Sequence, residues 1–449
     1  MSASSQMATQ VTFTIREHVV PAQHIREYER GVADESEDYF IHVKQYKPVY
    51  IGGRRPQKHD ITVIAAAGIG MIKESYEPFF EELALQCKER GVFIRGFWIA
   101  DVGCVGKSAL INAENLGIEQ SWFDHSRDLL GMINHFRKEM PRPLVGVGHS
   151  MGGCQIAYLS TLHPHLFHTL LLIEPAIYRG LERNTSFAQT RAMTRRREYW
   201  SNRIDAERAI SRNPFYKLWH PRAISLLIEH SLVSPSDNPR IPIPSANGPN
   251  KDEDPVVNTT PRSMEVSLIF KPNYRGVGHD EKDTTKWSTE DREAAPNVEP
   301  GALHVFPFYR PEVMAMFKRL PTLRPSVCYL LGTQSTSSNA EIRKQRLETT
   351  GVGVGGSGGA TVGRVVERMI EGGHFISFET HAGRETAKEA AIWLQTEIDR
   401  FVCDVEKHAE WKEKSPDERI QPDKVMVEAL TDWHPTKSPN IEKLVKSRL

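Results

Sequence analysis

The chain has 449 residues, which at roughly 100–200 residues per domain allows two to four ordinary domains or one enlarged one. Hydrophobic residues make up 39%, near the bottom of the globular range, so part of the chain is expected in polar loops. Lys+Arg and Asp+Glu number 57 each, leaving no global field to steer the protein onto nucleic acid or an anionic membrane; a nucleic-acid role would need a local patch.

From residue 10 to about 175 apolar runs alternate with amphipathic stretches, the pattern of strands and helices in turn. Residues 11–15 and 40–46 alternate apolar and polar side chains, which predicts an antiparallel edge followed by the loop 52–56. Residues 61–67 and 93–99 are denser in apolar residues. Between them, residues 76–90 carry Phe79, Phe80, Leu83, Ala84 and Cys87 at helical spacing, a β-α-β unit. A helix over 124–137, a strand over 143–147, a helix over 152–162 and a strand over 169–173 follow. Sheet order is expected to follow chain order. After Glu174-Pro175 the character changes: 176–321 reads as a cap inserted after the sixth strand, with 233–263 and 273–302 irregular or partly disordered. The core resumes over 322–406 with strands at 326–331 and 361–370 and a helix at 384–401. Seven glycines between Gly351 and Gly363 predict a flexible connection. Residues 407–449 form a charged, proline-punctuated tail, expected to be extended or loosely docked. The whole predicts an α/β fold: a mostly parallel central sheet, helices on both faces, and a helical cap.

Five cysteines, Cys87, Cys104, Cys154, Cys328 and Cys403, are scattered, odd in number and without a CxxC, which suggests neither a disulfide framework nor a thiolate zinc site. Residues 1–10 are polar and nowhere do eighteen apolar residues run together, so neither secretion nor a membrane span is expected.

The strongest chemical signal is Gly148-His149-Ser150-Met151-Gly152, a G-x-S-x-G between a strand and a helix. That context is the nucleophile elbow, a strained turn whose small neighbours avoid clashes and whose helix N-terminus stabilises negative charge. Ser150 is the expected nucleophile. A serine hydroxyl needs a base, and this fold orders its triad Ser, acid, His. His374, in Glu371-Gly372-Gly373-His374-Phe375, follows the last strand and is the expected base. His163, His165 and His168 resemble a metal cluster, but with no carboxylate interleaved they read as surface and cap histidines. The loop after residue 331 reads Gly332-Thr333-Gln334-Ser335-Thr336-Ser337 and holds no carboxylate, so the acid is assigned to Glu174, at the C-terminal edge of the sheet, with Glu341 as the alternative.

Two donors must face the developing oxyanion. One is the N–H of Met151; the other is assigned to Met71, in the loop Gly68-Ile69-Gly70-Met71. Gly103-Cys104-Val105-Gly106-Lys107-Ser108 mimics a phosphate loop but is too short for one; with Asp101 it reads as a structural turn. Arg191, Arg195, Arg196, Arg197 and Arg203 form the one basic cluster. It is either a solvated helix face or, through Arg195, Arg196 and Arg197, a clamp for substrate phosphates. The chain ends Ser447-Arg448-Leu449, a version of the S-K-L peroxisomal address, which would be read by an import receptor.

In combination these features resemble the MpaH-type α/β-hydrolases of filamentous fungi. That family includes the peroxisomal acyl-CoA hydrolase of mycophenolic acid biosynthesis and the hydrolases of host-selective toxin clusters. The matching residues are Tyr76-Glu77-Pro78, the run Ser121 to Asp128, the Gly148–Gly152 elbow, Glu174-Pro175, Asn213-Pro214-Phe215 and Gly372-Gly373-His374. The resemblance implies an acid after the sixth strand, where the family usually has Asp and this chain has Glu174. It also implies a histidine before the first helix, where this chain has Ala67-Gly68. Its implied activity is hydrolysis of an acyl-CoA thioester in a peroxisome, within a secondary-metabolite or toxin pathway, with no metal or redox cofactor. A carboxylesterase or lipase acting on an oxygen ester, and a non-catalytic binding protein of the same fold, are the alternatives.

Overall fold

The computed structural model describes residues 11–50, 53–179, 190–244, 254–272, 308–431 and 433. In chain order, the first part of the core runs β1 (Thr12–Pro21), β2 (Phe40–Val49), β3 (Ile61–Ala66), α1 (Glu77–Glu89), β4 (Ile94–Ala100), α2 (Gly106–Ile111), α3 (Trp122–His135), β5 (Leu144–His149), α4 (Met151–Leu162) and β6 (Thr169–Ile173). Between β6 and the rest of the core lie β7 (Tyr199–Trp200), α5 (Arg203–Ser211), α6 (Pro221–Ser231), β8 (Leu232–Val233), β9 (Val256–Asn258), α7 (Arg262–Ile269), β10 (Lys271–Pro272), β11 (Phe308–Tyr309) and α8 (Pro311–Arg319). The core then closes with β12 (Ser326–Gly332), α9 (Ala340–Thr349), β13 (Val365–Ile370) and α10 (Thr380–Lys407).

Eight strands form one sheet in the order β1-β2-β4-β3-β5-β6-β12-β13, with the β1–β2 and β2–β4 pairs antiparallel and the rest parallel. Chain order therefore fails at one place: β3 and β4 exchange positions. The reason is coverage. Right-handed crossovers that all advance in one direction put every helix on one face, whereas reversing direction after β4 lets the next helices cover the other. Phe79, Phe80, Leu83 and Ala84 of α1 share one hydrophobic cluster with Ala387, Ala390 and Leu394 of α10. Leu129 and Met132 of α3 share the other with Ile156 and Leu159 of α4. β6 serves both faces, Leu170 and Leu172 in one cluster and Leu171 and Ile173 in the other, the period-two alternation of a strand buried on both sides.

Other expectations change where local chemistry outweighs pattern. Within 233–263, residues expected to be irregular, Val256–Asn258 is the central strand of a three-stranded sheet ordered β7-β9-β8 and Arg262 begins α7; residues 245–253 and 273–307 lie outside the described residues. The glycine tract is pinned: Gly351 and Gly353 donate to the Leu320 and Pro321 carbonyls and Ser357 to that of Leu323. Five of its glycines have φ between +68° and +96°, so they serve a tight left-handed course.

Contacts divide the chain into two units, Met1–Ile398 and Asp399–Leu449. The second holds three short helices, Ala409–Glu413, Pro416–Arg419 and Lys424–Thr431, in the stretch expected to be extended or loosely docked. Ser415 and Glu418 form a reciprocal capping box, a helix start that its proline disguises in the sequence. Ser447, Arg448 and Leu449 lie outside the described residues. No described helix is long and apolar enough to cross a membrane.

Candidate active site

Ser150 occupies the turn between β5 and α4 with φ +55° and ψ −114°, a conformation costly for any residue with a Cβ. Its neighbours have no room to be anything but glycine. A Cβ on Gly148 would lie 2.4 Å from the Gly152 carbonyl oxygen, and one on Gly152 would lie 2.1 Å from that of Ala66. Glu174, ending the next strand, is the other described non-glycine residue with positive φ, at +47°. The two strained turns brace each other: Ser150 N–H donates to Ile173 O and Ala176 N–H donates to Ser150 O, both at 2.9 Å.

His374 lies between them. Its Nε2 is 3.0 Å from Ser150 Oγ and its Nδ1 is 3.2 Å from Glu174 Oε2. Glu174 is fully buried. Burial alone would raise its carboxyl pKa, but the hydrogen bond and charge of His374, with the Ser335 hydroxyl and the Gly332 N–H, hold it below the usual value. Gly332 N donates to Oε1 at 2.6 Å, and the Ser335 and Ser338 hydroxyls donate to Oε2. The loop that holds no carboxylate therefore supplies the donors that fold the longer Glu side chain back. Arg346, itself buried, donates to the Pro175 and Ile177 carbonyls and fixes the turn beyond. Glu341 is exposed at the start of α9, where its carboxylate accepts from Gln345 at 2.7 Å; it is not beside His374.

Beneath the serine runs a chain of hydrogen bonds that no motif announced. Gly68 N–H donates to the Tyr76 hydroxyl at 2.9 Å, that hydroxyl donates to His149 Nδ1 at 2.9 Å, and His149 Nε2–H donates to the His374 carbonyl at 3.0 Å. The carbonyl can only accept, so the proton of a neutral His149 ring sits on Nε2, which fixes the direction of the chain. Burial, with the neighbouring His374, lowers the His149 pKa to about 3 and keeps the ring neutral. Tyr76 and His149 thus tie the loop after β3 and the elbow to the segment carrying His374. In sequence Tyr76 looks like a core aromatic before a helix, and His149 like the variable letter of the elbow.

The loop after β3 corrects the second oxyanion donor. Met71 N–H is already engaged with the Gly68 carbonyl at 3.2 Å. Gly68 N–H is held by Tyr76. Ile69 N–H has no partner among the described residues, and neither does Met151 N–H at the first turn of α4, where helix amides lack an internal acceptor. Arg196 pairs with the buried Glu265 at 2.7 Å, Arg197 donates to the Tyr199 carbonyl at 2.6 Å, and Arg195 is exposed. Lys107 N–H donates to the Asp101 carboxylate, with which Lys73 also pairs, and the Ser108 hydroxyl donates to the Asp101 backbone carbonyl, so the phosphate-loop look-alike is a structural turn. The described residues contain no group of three or more metal-ligating side chains.

A cavity of about 510 Å³ shares residues 69–72 and Phe375 with this site. Its wall from the inserted segment is anchored by aromatic contacts. Trp219 stacks on Phe378 with centroids 4.5 Å apart, and Phe215, of the Asn213-Pro214-Phe215 run, meets Phe375 at 4.9 Å. His220 N–H donates to the Phe378 carbonyl at 2.7 Å.

No protein-family model matches the chain. Among curated proteins it is 38% identical over 417 residues to the type I acyl-CoA thioesterase mpaH' of Penicillium brevicompactum, covering 89% of this chain and 91% of that one. It is 36% identical over 400 residues to the mpaH thioesterase of Penicillium roqueforti, 87% and 89% of the two chains. An abhydrolase domain-containing protein of Alternaria alternata, AFT2-1, is 30% identical over 57% of this chain and 84% of its own. In fold the chain is similar to the peroxisomal α/β-hydrolase Lpx1 of Saccharomyces cerevisiae, with a TM-score of 0.62 at 14% identity, covering 97% of this chain and 96% of that one. The eight-stranded sheet and the extent of likeness to the Penicillium proteins lead to one conclusion: the chain belongs to the MpaH-type family of α/β-hydrolases.

Proposed function

We propose that the protein hydrolyses an acyl-CoA thioester to the free acid and CoA through Ser150, His374 and Glu174. The observation that carries this reading is the unbroken line of contacts from Ser150 Oγ through His374 to the buried Glu174 carboxylate. His374 takes the proton of Ser150 as the hydroxyl attacks the acyl carbonyl. Glu174 accepts from Nδ1–H and stabilises the imidazolium that forms. The N–H groups of Met151 and Ile69 receive the oxyanion, replacing the assignment to Met71. The imidazolium then protonates the departing CoA thiolate, and water, activated by the same histidine, releases the acid and restores the serine.

The thioester is favoured over an oxygen ester because the Penicillium relatives carry the name acyl-CoA thioesterase. Comparing an acyl-CoA with the ethyl ester of the same acid tests it. A kcat/KM at least about 10-fold higher for the thioester is expected, and preference for the oxygen ester would leave a carboxylesterase. A covalent adduct with a fluorophosphonate probe, lost in Ser150→Ala, would exclude a non-catalytic binding protein. We place the enzyme in a fungal secondary-metabolite or toxin pathway, which accumulation of a CoA ester in a strain lacking the gene would test. Import into peroxisomes through Ser447-Arg448-Leu449 is tested by an N-terminally tagged fluorescent fusion. It should be punctate, and diffuse once Leu449 is deleted.

A further inference from the structure

Four buried polar atoms without a hydrogen-bond partner among the described residues lie on residues that line the cavity described above: Trp200 Nε1, Thr259 Oγ1, Glu265 Oε2 and Arg196 Nε. Trp200, Thr259 and Glu265 are themselves only 5%, 2% and 3% exposed. Much of the remaining wall is apolar, with Ile69, Met71, Ile210, Phe215, Leu227 and Phe375, although Asn213, Ser231, Asn258 and Thr260 also line it. A volume of about 510 Å³ falls within the roughly 300–1,000 Å³ typical of small-molecule sites. Such sites place a few polar groups in an apolar wall to fix one orientation of a ligand.

The polar cluster is built and lies close to the proposed chemistry. Arg196 donates to Glu265 Oε1 at 2.7 Å, which compensates the buried charge and leaves Oε2 spare. Gly70, one residue beyond the proposed oxyanion donor Ile69, faces it: a Cβ there would lie 3.7 Å from Glu265 Oε2. Trp200 ends β7, where it pairs with Val256 of β9, and Thr259 directly follows the other end of β9.

We propose that this cavity receives the acyl group of the substrate and selects one bearing a hydroxyl, on an alkyl chain or an aromatic ring; the proposal rests on the acyl-transfer reading above. A hydroxyl both donates and accepts. It can donate to Glu265 Oε2 while accepting from Trp200 Nε1–H or Arg196 Nε–H, with Thr259 able to take either role. An unsubstituted acyl chain would answer none of these atoms. A ketone would answer the N–H donors and leave the carboxylate unpaired, and a terminal carboxylate would meet Glu265 as a like charge. A site built to bond a hydroxyl discriminates strongly against the analogue lacking it.

The test uses matched pairs: hexanoyl-CoA against ω-hydroxyhexanoyl-CoA, and phenylpropanoyl-CoA against (para-hydroxyphenyl)propanoyl-CoA. In at least one pair the hydroxylated thioester should be preferred by about 30-fold or more in kcat/KM. Thr259→Val and Trp200→Phe, each of which removes one polar atom, should cut that preference by about 5-fold or more, with thermal melting used to confirm folding. Equal rates within both pairs, or a preference that neither substitution changes, would overturn the proposal and leave the thioesterase reading intact. Calorimetric binding of the four free acids to Ser150→Ala reads the cavity without turnover. A hydroxy acid bound about 10-fold tighter than its plain counterpart supports the proposal even if no thioester is cleaved, in which case the thioesterase reading alone falls; equal binding within both pairs overturns the proposal.

Discussion

Two neighbouring regions of the site treat buried polar groups in opposite ways. Under Ser150, the chain from Gly68 through Tyr76 and His149 to the His374 carbonyl satisfies each donor and acceptor it contains. In the cavity, Trp200, Thr259, Glu265 and Arg196 each keep one polar atom without a partner among the described residues. A saturated network holds atoms in place, whereas an unsaturated one is ready to bind. The lower region is therefore a support and the upper a receptor, and the same kind of deletion should have opposite consequences in the two.

The largest effects belong to the groups the support holds. Ser150→Ala and His374→Ala should each lower kcat by about 10⁴-fold or more without loss of folded protein, and the double variant should be no worse than either alone. Single-turnover kinetics on the purified variants would check this. Glu174→Gln should cost about 10³- to 10⁴-fold, whereas Glu341→Gln should change nothing. Glu174→Asp should also lose activity, because the donors Gly332, Ser335 and Ser338 are placed for the longer side chain. The reverse ranking of the two glutamates would move the acid to α9.

Stability draws the contrast most directly. Tyr76→Phe strands the Gly68 N–H and His149 Nδ1 together and should cost about 2–3 kcal/mol, with a further fall in kcat as the two loops loosen. Thr259→Val removes a hydroxyl that already lacks a partner and should be neutral or slightly stabilising. Chemical denaturation of both variants would read the difference, and equal losses would erase the distinction between support and receptor.

A smaller, pH-dependent effect isolates His149. Its folded pKa of about 3 lies below the unfolded value of 6.5. Below about pH 6.5 the unfolded chain therefore binds a proton that the folded one refuses, and stability falls as pH falls toward 3; above pH 6.5 the group contributes no slope. Between pH 7 and pH 5 the wild type should lose about 2 kcal/mol more than His149→Gln, whose amide can both donate and accept in the ring's place. Denaturation midpoints at the two pH values give the comparison, in which the other titrating groups cancel.

The contrast also separates what the sequence reveals from what it hides. The elbow, Glu174 and His374 are legible because each sits at a strand end next to glycine or proline, where pattern and chemistry coincide. Tyr76 is illegible because a phenol before a helix reads as core until its hydroxyl is seen between two loops. Ser335 and Ser338 vanish for a related reason: their loop reads as lacking a carboxylate, and only the fold shows that it serves one. The engagement of the Met71 amide is hidden as well, because the turn that brings it near the elbow is the same one that bonds it to the Gly68 carbonyl. The exchange of β3 and β4 leaves no local trace, since the direction of a crossover is decided by which face still needs covering. The cavity residues Trp200, on one side, and Thr259 and Glu265, on the other, come from two separated segments whose convergence no spacing encodes.

The strained backbone at Ser150 makes the proposed nucleophile a liability to the fold that carries it. At φ +55° and ψ −114° a glycine would sit without steric cost, and Ser150→Gly should raise stability by about 1 kcal/mol after its greater unfolded-state entropy is deducted. Ser150→Ala keeps the Cβ and should show no such gain. Stability alone therefore pulls position 150 toward glycine. Only the need for an Oγ at the elbow opposes that drift, so a descendant of this chain released from catalysis would be expected to lose its serine before it loses Gly148 or Gly152.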